Sequence, residues 1–134
     1  MSTEHQNPFS ALGVVPEVVR ALQAAGYEQP TPIQAQCIPA LVRGQDVLGQ
    51  AQTGTGKTAA FLITVLTRLL NNPIQGKRKP GTPRVLILAP TRELVLQISE
   101  EARKLSATWA MVTVRPSAAA RSAARAIPSR WAAG

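Results

Sequence analysis

Residues 51–58 read Ala-Gln-Thr-Gly-Thr-Gly-Lys-Thr, and this stretch decides the fold that the sequence predicts. The phosphate-binding P-loop has a small residue, four variable residues and then Gly-Lys-Ser/Thr. Ala51 stands at the first position, which is usually Gly, and the ending Gly56-Lys57-Thr58 is complete. The pattern therefore predicts a turn that joins a strand to a helix and holds the phosphates of a nucleotide.

Each residue type in this loop has a chemical reason. Gly54 and Gly56 can adopt backbone conformations closed to other residues and let phosphate approach the main chain. Successive N–H groups at a helix N-terminus then form an anion site. Lys57 adds a charge for the β- and γ-phosphates, and Thr58 offers its hydroxyl to Mg²⁺, so ATP and Mg²⁺ are the predicted cofactors. The predicted ATP-binding residues of the loop are Ala51, Gln52, Thr53, Gly54, Thr55, Gly56, Lys57 and Thr58.

Two other interpretations of the loop explain less. Gly54-x-Gly56-x-x-Ala59 matches the looser fingerprint of dinucleotide-binding folds, which want an acidic residue ~20 positions further on. Positions 71–85 contain no Asp or Glu. An incidental Gly-rich turn leaves the Lys57-Thr58 pair without a reason.

The flanking sequence predicts a βαβα unit. Apolar runs at 46–49 and 84–89 indicate two buried strands, the second one central in a parallel sheet. Apolar periodicity and end signals predict four helices: Pro16 to about Gly26, Pro32 to before Gly44, one from Lys57, and about Arg92 to Leu105. In the second helix Thr31 is the predicted N-cap, and Pro39 predicts a kink or a break. The predicted fold class is α/β.

Length and composition limit the other possibilities. The 134 residues suffice for one domain, and no apolar run approaches the ~18 residues needed to span a bilayer. Cys37 is alone, which excludes an internal disulfide framework. The N-terminus has no hydrophobic signal-peptide core, so a cytoplasmic location is expected. The net charge of +8 favours polyanions such as RNA without specifying any one.

Three ordered segments together resemble the DEAD-box RNA helicases. Residues 26–34, Gly-Tyr-Glu-Gln-Pro-Thr-Pro-Ile-Gln, with Phe9 lying 17 residues before Gly26, look like the adenine-recognising Q motif of that family. Residues 51–58 resemble its motif I, in which a leading Ala is normal. Residues 90–94, Pro-Thr-Arg-Glu-Leu, resemble its motif Ia. The resemblance covers about residues 7–105.

The resemblance implies a RecA-like P-loop NTPase domain, here with a truncated parallel sheet and flanking helices. It implies ATP-dependent RNA unwinding or remodelling as the family function. Phe9, Tyr27 and Gln34 would contact the adenine, and Gln34 could donate to and accept from one edge of the base. Pro90, Thr91 and Arg92 would contact the RNA backbone. RNA is thus the expected partner; no membrane partner is expected, and the oligomeric state is left open.

The sequence departs from the family after motif Ia. The family hydrolyses ATP with an Asp-Glu-Ala-Asp motif, whereas Asp46 is the one Asp here and no acid follows Glu101. The second RecA-like domain is also missing, so no catalytic residue is predicted in this chain. We expect weak nucleotide binding without hydrolysis or unwinding. A non-catalytic nucleotide- or RNA-binding module is the alternative; a P-loop kinase is less consistent, because it gives the Q motif no purpose.

Residues 106–134 differ in composition from residues 1–105. Ten of these 29 residues are Ala and four are Arg, with no acid. Such low complexity rarely builds a core. We therefore predict a domain boundary at 105 and a tail that is disordered or out of frame. Resequencing the gene tests the frameshift: an in-frame tail, with no helicase-like sequence continuing in another frame, would refute it.

Overall fold

A computed structural model describes residues 7–52, 54–77, 79 and 82–107. Within these residues the chain forms one short 3-10 helix and four α-helices. The 3-10 helix is Ser10–Leu12, and the α-helices are α1 (Pro16–Ala24), α2 (Pro32–Val42), α3 (Lys57–Asn71) and α4 (Arg92–Leu105). Thr53 and the tail from residue 108 onward lie outside the described residues, so the predictions made for them stay predictions.

Helix α1 follows the predicted pattern at both ends. Pro16 occupies its first turn, where the missing N–H costs no hydrogen bond. Val18, Val19 and Leu22 fall on one face and are buried. Gly26 has φ +87°, a left-handed conformation that suits the turn out of a helix. The sequence prediction for this helix is confirmed.

Helix α2 begins at Pro32 with Thr31 as N-cap, as predicted, and ends at Val42. The predicted break at Pro39 is wrong, because the helix continues through this residue, and the alternative, a kink there, stays a prediction. Proline removes one backbone hydrogen bond inside a helix, and tertiary packing can offset that loss. Cys37 and Ile38, immediately before the proline, are both buried and hold this part of the helix against its neighbours.

Helices α3 and α4 begin where the predicted turns end. Gly56 precedes α3 with φ +87°. Thr91 precedes α4 in an extended conformation, and its Oγ1 accepts a hydrogen bond from the Leu94 N–H at 3.1 Å. Such an N-cap satisfies one of the unpaired N–H groups of the first turn. Lys104 lies in the last turn, where a positive charge complements the helix dipole.

One apolar core joins all four helices. Helix α2 packs mainly on α3, and α3 also contacts α1 and α4. The core residues are Phe9, Val14, Val18, Val19, Leu22, Ile38, Ala59, Leu62, Ile63, Leu66, Ile98, Ala102 and Leu105. Because α3 contributes four of them, more than any other helix, it is the central helix of this assembly. Its N-terminus, which follows the Gly-rich loop, is therefore fixed by packing.

The structure does not confirm the two predicted strands. Residues 46–49 and 84–89 carry no strand assignment. Leu48 is 90% exposed and Leu86 is 56% exposed, although the sequence predicted burial of both segments. A strand exists through its hydrogen-bonded neighbours, and the described residues provide no partner for either segment. The parallel sheet therefore remains a prediction.

Among the described residues, no helix has both the length and the apolar character needed to cross a lipid bilayer.

Two apolar substitutions test where the stability of this assembly comes from. Phe9 is fully buried whereas Leu48 is not, so Phe9→Ala should cost about 3–5 kcal/mol of unfolding free energy. Leu48→Ala should change it by less than about 0.5 kcal/mol. Urea denaturation of both variants measures the difference. Equal losses would show that Phe9 does not belong to the core.

Candidate nucleotide-binding site

The Gly-rich loop before α3 is held by hydrogen bonds within itself. Thr55 Oγ1 donates to the Gln52 carbonyl at 2.6 Å. Lys57 Nζ donates to the carbonyl of Ala51, at the other end of the loop. The side chain of Lys57 therefore spans the loop, and two of its three N–H donors are left for an anion.

The backbone of the loop has the geometry that an anion site needs. Gly54 and Gly56 have φ +85° and +87°, backbone values that residues other than glycine rarely adopt. A Cβ added at Gly54 would meet nothing within 4 Å, so the backbone there faces open space. The first N–H groups of α3 have no partner within the helix and lie beside this opening. The loop thus combines unpaired donors, the helix dipole and the ammonium of Lys57.

A cation could be held here only together with a ligand. Among the described residues, no three side chains of His, Cys, Asp or Glu are grouped as a metal site requires. Thr58 lies half-buried in the first turn of α3 and offers one hydroxyl oxygen. Mg²⁺ at phosphate sites keeps several waters and takes its other oxygens from phosphates and a few protein groups, and the Thr58 hydroxyl could supply one of these oxygens.

The side chain of Gln34 links the Q-motif segment to the Gly-rich loop through a hydrogen bond. Its Nε2 donates to the Gly56 carbonyl at 3.1 Å, and its Oε1 accepts from the Thr31 N–H at 3.0 Å. The residue is only 1% exposed. In this conformation the amide supports the loop and does not face solvent, a role that the sequence analysis missed. Recognition of adenine by Gln34 stays a prediction.

The space behind Gly56 is filled. A Cβ at this position would lie 2.5 Å from Gln34 Nε2 and 3.0 Å from Thr31 Oγ1. The first distance is shorter than real Cβ contacts, so a side chain here would force the Gln34 amide to move, and the positive φ adds strain. The packing of Gln34 and Thr31 on the loop therefore favours glycine at this position.

Thr31 carries a buried hydroxyl beside this contact. The pair Thr31 and Gln34 has the arrangement of a capping box at the start of α2. Only the bond from Thr31 N–H to Gln34 Oε1 has full hydrogen-bond geometry, however, and the buried Thr31 Oγ1 has no partner among the described residues. The capping box is therefore half formed, and the Thr31 hydroxyl is a buried polar group without a hydrogen bond in the part of the chain that the structure describes.

An open cleft of about 210 Å³ lies between the start of α2 and the loop. Its walls are formed by Pro32, Ile33, Gln36, Gln50, Ala51 and Thr55. Sequence reasoning included Ala51 and Thr55 in the site but gave no role to Ile33, which lies within the Q-motif segment, or to Gln36 and Gln50, which lie outside the three motifs. Helix periodicity places Gln36 and Ile33 on one face of α2, and this could have indicated them.

The two predicted aromatic contacts lie in different surroundings. Phe9 is fully buried in the core, so in this conformation its ring has no open face. Tyr27 is partly buried against the same core, and its hydroxyl donates to Glu101 Oε1 on α4. The structure thus places Gln34 against the P-loop and ties Tyr27 to α4. The adenine contacts of both aromatic residues stay predictions.

The environment of Tyr27 changes its acidity. Burial, the hydrogen bond to Glu101 and the negative charge of that carboxylate together raise the pKa of Tyr27 to about 12. Each effect favours the neutral phenol over the phenolate. The stabilisation is present below the ordinary pKa of 10.0 and is lost as the pH rises through about 12.

The predicted RNA contacts lie together at the start of α4. Pro90, Thr91 and Arg92 are all exposed, and Arg92 is the first residue of the helix. Free N–H groups and a guanidinium at one helix N-terminus suit a phosphate oxygen. The predicted strand before this turn is not assigned, so only the helix half of the predicted strand-to-helix turn is confirmed.

Comparison with known proteins identifies the family of the chain. The sequence model of the DEAD/DEAH box helicase family matches residues 31–128. The chain is 54% identical over 99 residues to the ATP-dependent RNA helicase RhlB of Xanthomonas oryzae pv. oryzae, covering 74% of this chain and 17% of that protein. It is 51% identical over 98 residues to the ATP-dependent RNA helicase SrmB of Haemophilus influenzae, covering 73% and 22% respectively.

The chain belongs to the DEAD/DEAH box helicase family.

Solved structures of DEAD-box helicases share its fold. The RNA helicase Prp28 from Chaetomium thermophilum bound to ADP has a TM-score of 0.70 and 37% identity, covering 89% of this chain and 28% of that one. Dbp5 of S. cerevisiae bound to RNA and ADP BeF3 has a TM-score of 0.62 and 33% identity, covering 75% and 25%. The neighbouring domains are RecA-like, which supports the predicted fold class while the sheet itself is not confirmed.

The chain spans about a fifth of the length of the curated relatives it matches. The match to the family model also extends past residue 105 into the Ala/Arg-rich tail. The boundary at 105 stays a prediction.

Two glycine substitutions in the P-loop, residues 51–58, separate the effect of backbone strain from the effect of crowding. Gly54→Ala and Gly56→Ala introduce the same positive-φ strain, about 1–2 kcal/mol each. Only Gly56→Ala also collides with Gln34, so it should lose at least about 1 kcal/mol more, the worth of the hydrogen bond it breaks. Chemical denaturation measures both. Equal destabilisation would mean that α2 does not pack on the loop as described.

Proposed function

We propose that this chain is the ATP-binding portion of an ATP-dependent RNA helicase that unwinds or remodels RNA. The observation that carries the proposal is the loop 51–58 in its structural setting. It precedes a packed helix, presents two left-handed glycines and an ammonium, and is supported from behind by Gln34 of the Q motif. Mg²⁺ would be held through the nucleotide phosphates and Thr58.

The surroundings of the loop leave room for the rest of a nucleotide. The cleft beside it shares Ala51 and Thr55 with the loop. A nucleotide with its phosphates at the start of α3 could therefore place its sugar or base against α2. Tyr27 and Gln34 are the proposed base contacts, and Gln34 would have to exchange or share one of its internal hydrogen bonds to reach an adenine edge.

The charge distribution favours RNA as the second ligand. Residues 47–92 contain seven Lys or Arg and no Asp or Glu. A surface with this balance attracts a phosphate backbone whatever its base sequence. Pro90, Thr91 and Arg92 are the proposed backbone contacts, as expected of a protein that remodels RNA without selecting a sequence.

Hydrolysis requires groups that this sequence does not supply. A carboxylate is needed to hold Mg²⁺ or to orient the attacking water. The sequence offers no acid between Asp46 and Glu93, and Glu101 is engaged with Tyr27. We propose that the chain alone binds nucleotide without hydrolysing it, at a cytoplasmic location. A non-catalytic nucleotide- or RNA-binding module, acting through a partner, is the second candidate, and the same shortage of carboxylates favours it.

Removal of the P-loop ammonium tests the proposed site. Lys57→Ala should weaken binding of a fluorescent ATP analogue with Mg²⁺ by about tenfold to a hundredfold, because charge-assisted hydrogen bonds to phosphate are lost. Lys77→Ala removes the same charge from an exposed loop residue and is the matched control. Saturable binding that survives Lys57→Ala, or weakens equally in both variants, would contradict the site.

Phosphate release measured with and without RNA tests the proposal that the chain alone binds ATP without hydrolysing it. We expect ATP to protect the chain from proteolysis while no phosphate is released. Turnover by the chain alone, lost in Lys57→Ala, would contradict the proposal that it cannot hydrolyse ATP.

A further inference from the structure

A side-chain hydrogen bond joins two parts of the chain that are far apart in sequence. The Tyr27 hydroxyl donates to Glu101 Oε1, and 74 positions separate the two residues. Tyr27 lies in the Q-motif segment between α1 and α2, whereas Glu101 lies near the end of α4. Neither the P-loop nor the predicted RNA contacts account for this bond.

The helix that carries Glu101 is firmly held. Ile98, Ala102 and Leu105 of α4 are buried in the core on either side of Glu101 along the chain. A carboxylate on such a helix is a fixed acceptor, since its backbone cannot move without disturbing the core. Glu100, the adjacent residue, is exposed.

We propose that Glu101 is a positioning residue for the nucleotide base: it holds the ring of Tyr27 in one orientation, as a platform on which the base can stack. This inference rests on the proposed function, because it takes nucleotide as the ligand. It goes beyond that function in assigning a role to a residue of α4 that none of the three motifs contains.

The chemistry of the pair suits this role. A phenol that donates to a carboxylate forms one of the stronger neutral-to-charged hydrogen bonds. A ring that is already held at its hydroxyl has less freedom of motion to lose when the base binds. Less entropy therefore opposes stacking. Stacking also needs the ring to stay in one place, and the Glu101 contact holds the far end of its long axis.

Four variants of the full 134-residue chain test the proposal: Glu101→Ala, Glu101→Gln, Tyr27→Phe and Glu100→Ala. The probes are fluorescent ATP and inorganic triphosphate, which has no base. Glu101→Ala and Tyr27→Phe should weaken ATP binding about threefold to tenfold, the range of an aromatic contact, and leave triphosphate binding unchanged. Glu101→Gln keeps an acceptor oxygen and should retain most of the affinity. Glu100→Ala should match the parent chain.

A second measurement reports the bond directly, without nucleotide. Tyr27 is the one tyrosine of the sequence, so the phenolate absorbance of the folded chain titrates this residue alone. The transition should lie near pH 12 in the parent chain and move toward 10 in Glu101→Ala. Glu100→Ala should leave it in place.

The outcomes separate this inference from the proposed function. If the parent chain fails to bind ATP, the proposed function falls and the inference falls with it. If ATP binds and Lys57→Ala abolishes binding, but Glu101→Ala and Tyr27→Phe bind ATP as the parent does, only the positioning role is overturned. Equal weakening of ATP and triphosphate binding would also overturn it, because a general loss of structure affects both probes. The double variant that combines Glu101→Ala with Tyr27→Phe should lose no more ATP affinity than either single variant.

Discussion

The contact between Gln34 and Gly56 is the constraint on which the arrangement of the site depends. Gly56 is the point where the loop turns into α3, and its carbonyl accepts a hydrogen bond from Gln34 Nε2 at 3.1 Å. Its positive φ fixes the direction of the turn, and the side chains of α2 leave no room for a Cβ there. The loop therefore takes its shape from the packing of α2 on α3 as well as from its own glycines. Any movement of α2 would change the direction in which the first N–H groups of α3 point.

The helices were predictable because the information that sets them is local. Pro16, Pro32 and Thr91 mark their own helix starts through properties of one residue or its immediate neighbours. Helix α4 accordingly has the predicted bounds, and among the helix predictions only a break at Pro39 was wrong. The strands were not confirmed because a strand is a relation between segments distant in sequence. The exposed Leu48 and Leu86 show that apolar composition alone does not provide such a partner.

The site was predictable in its residue types and less so in its contacts. The sequence indicated which residues form the Gly-rich loop before α3, because glycine, lysine and threonine have few alternative uses at that spacing. It could not indicate that the Gln34 amide is satisfied internally, or that Tyr27 reaches Glu101 across 74 positions. Side-chain hydrogen bonds between distant segments follow from packing, and no periodicity announces them. Phe9 is a similar case: an isolated aromatic residue is compatible with a ligand contact and with the core, and only burial distinguishes the two.

Helix α4 connects the proposed ligands of this chain through one rigid element. Its first residue, Arg92, is a proposed RNA contact, and Glu101 lies nine residues later, about 14 Å along the axis. A packed helix moves as a unit, so a shift of α4 that follows contact at Arg92 would also move the acceptor of the Tyr27 hydroxyl. The Q-motif segment would then respond at two points, through Tyr27 to α4 and through Gln34 to the loop. Two hydrogen bonds of the Q-motif segment thus reach α4 through Tyr27 and the Gly-rich loop through Gln34.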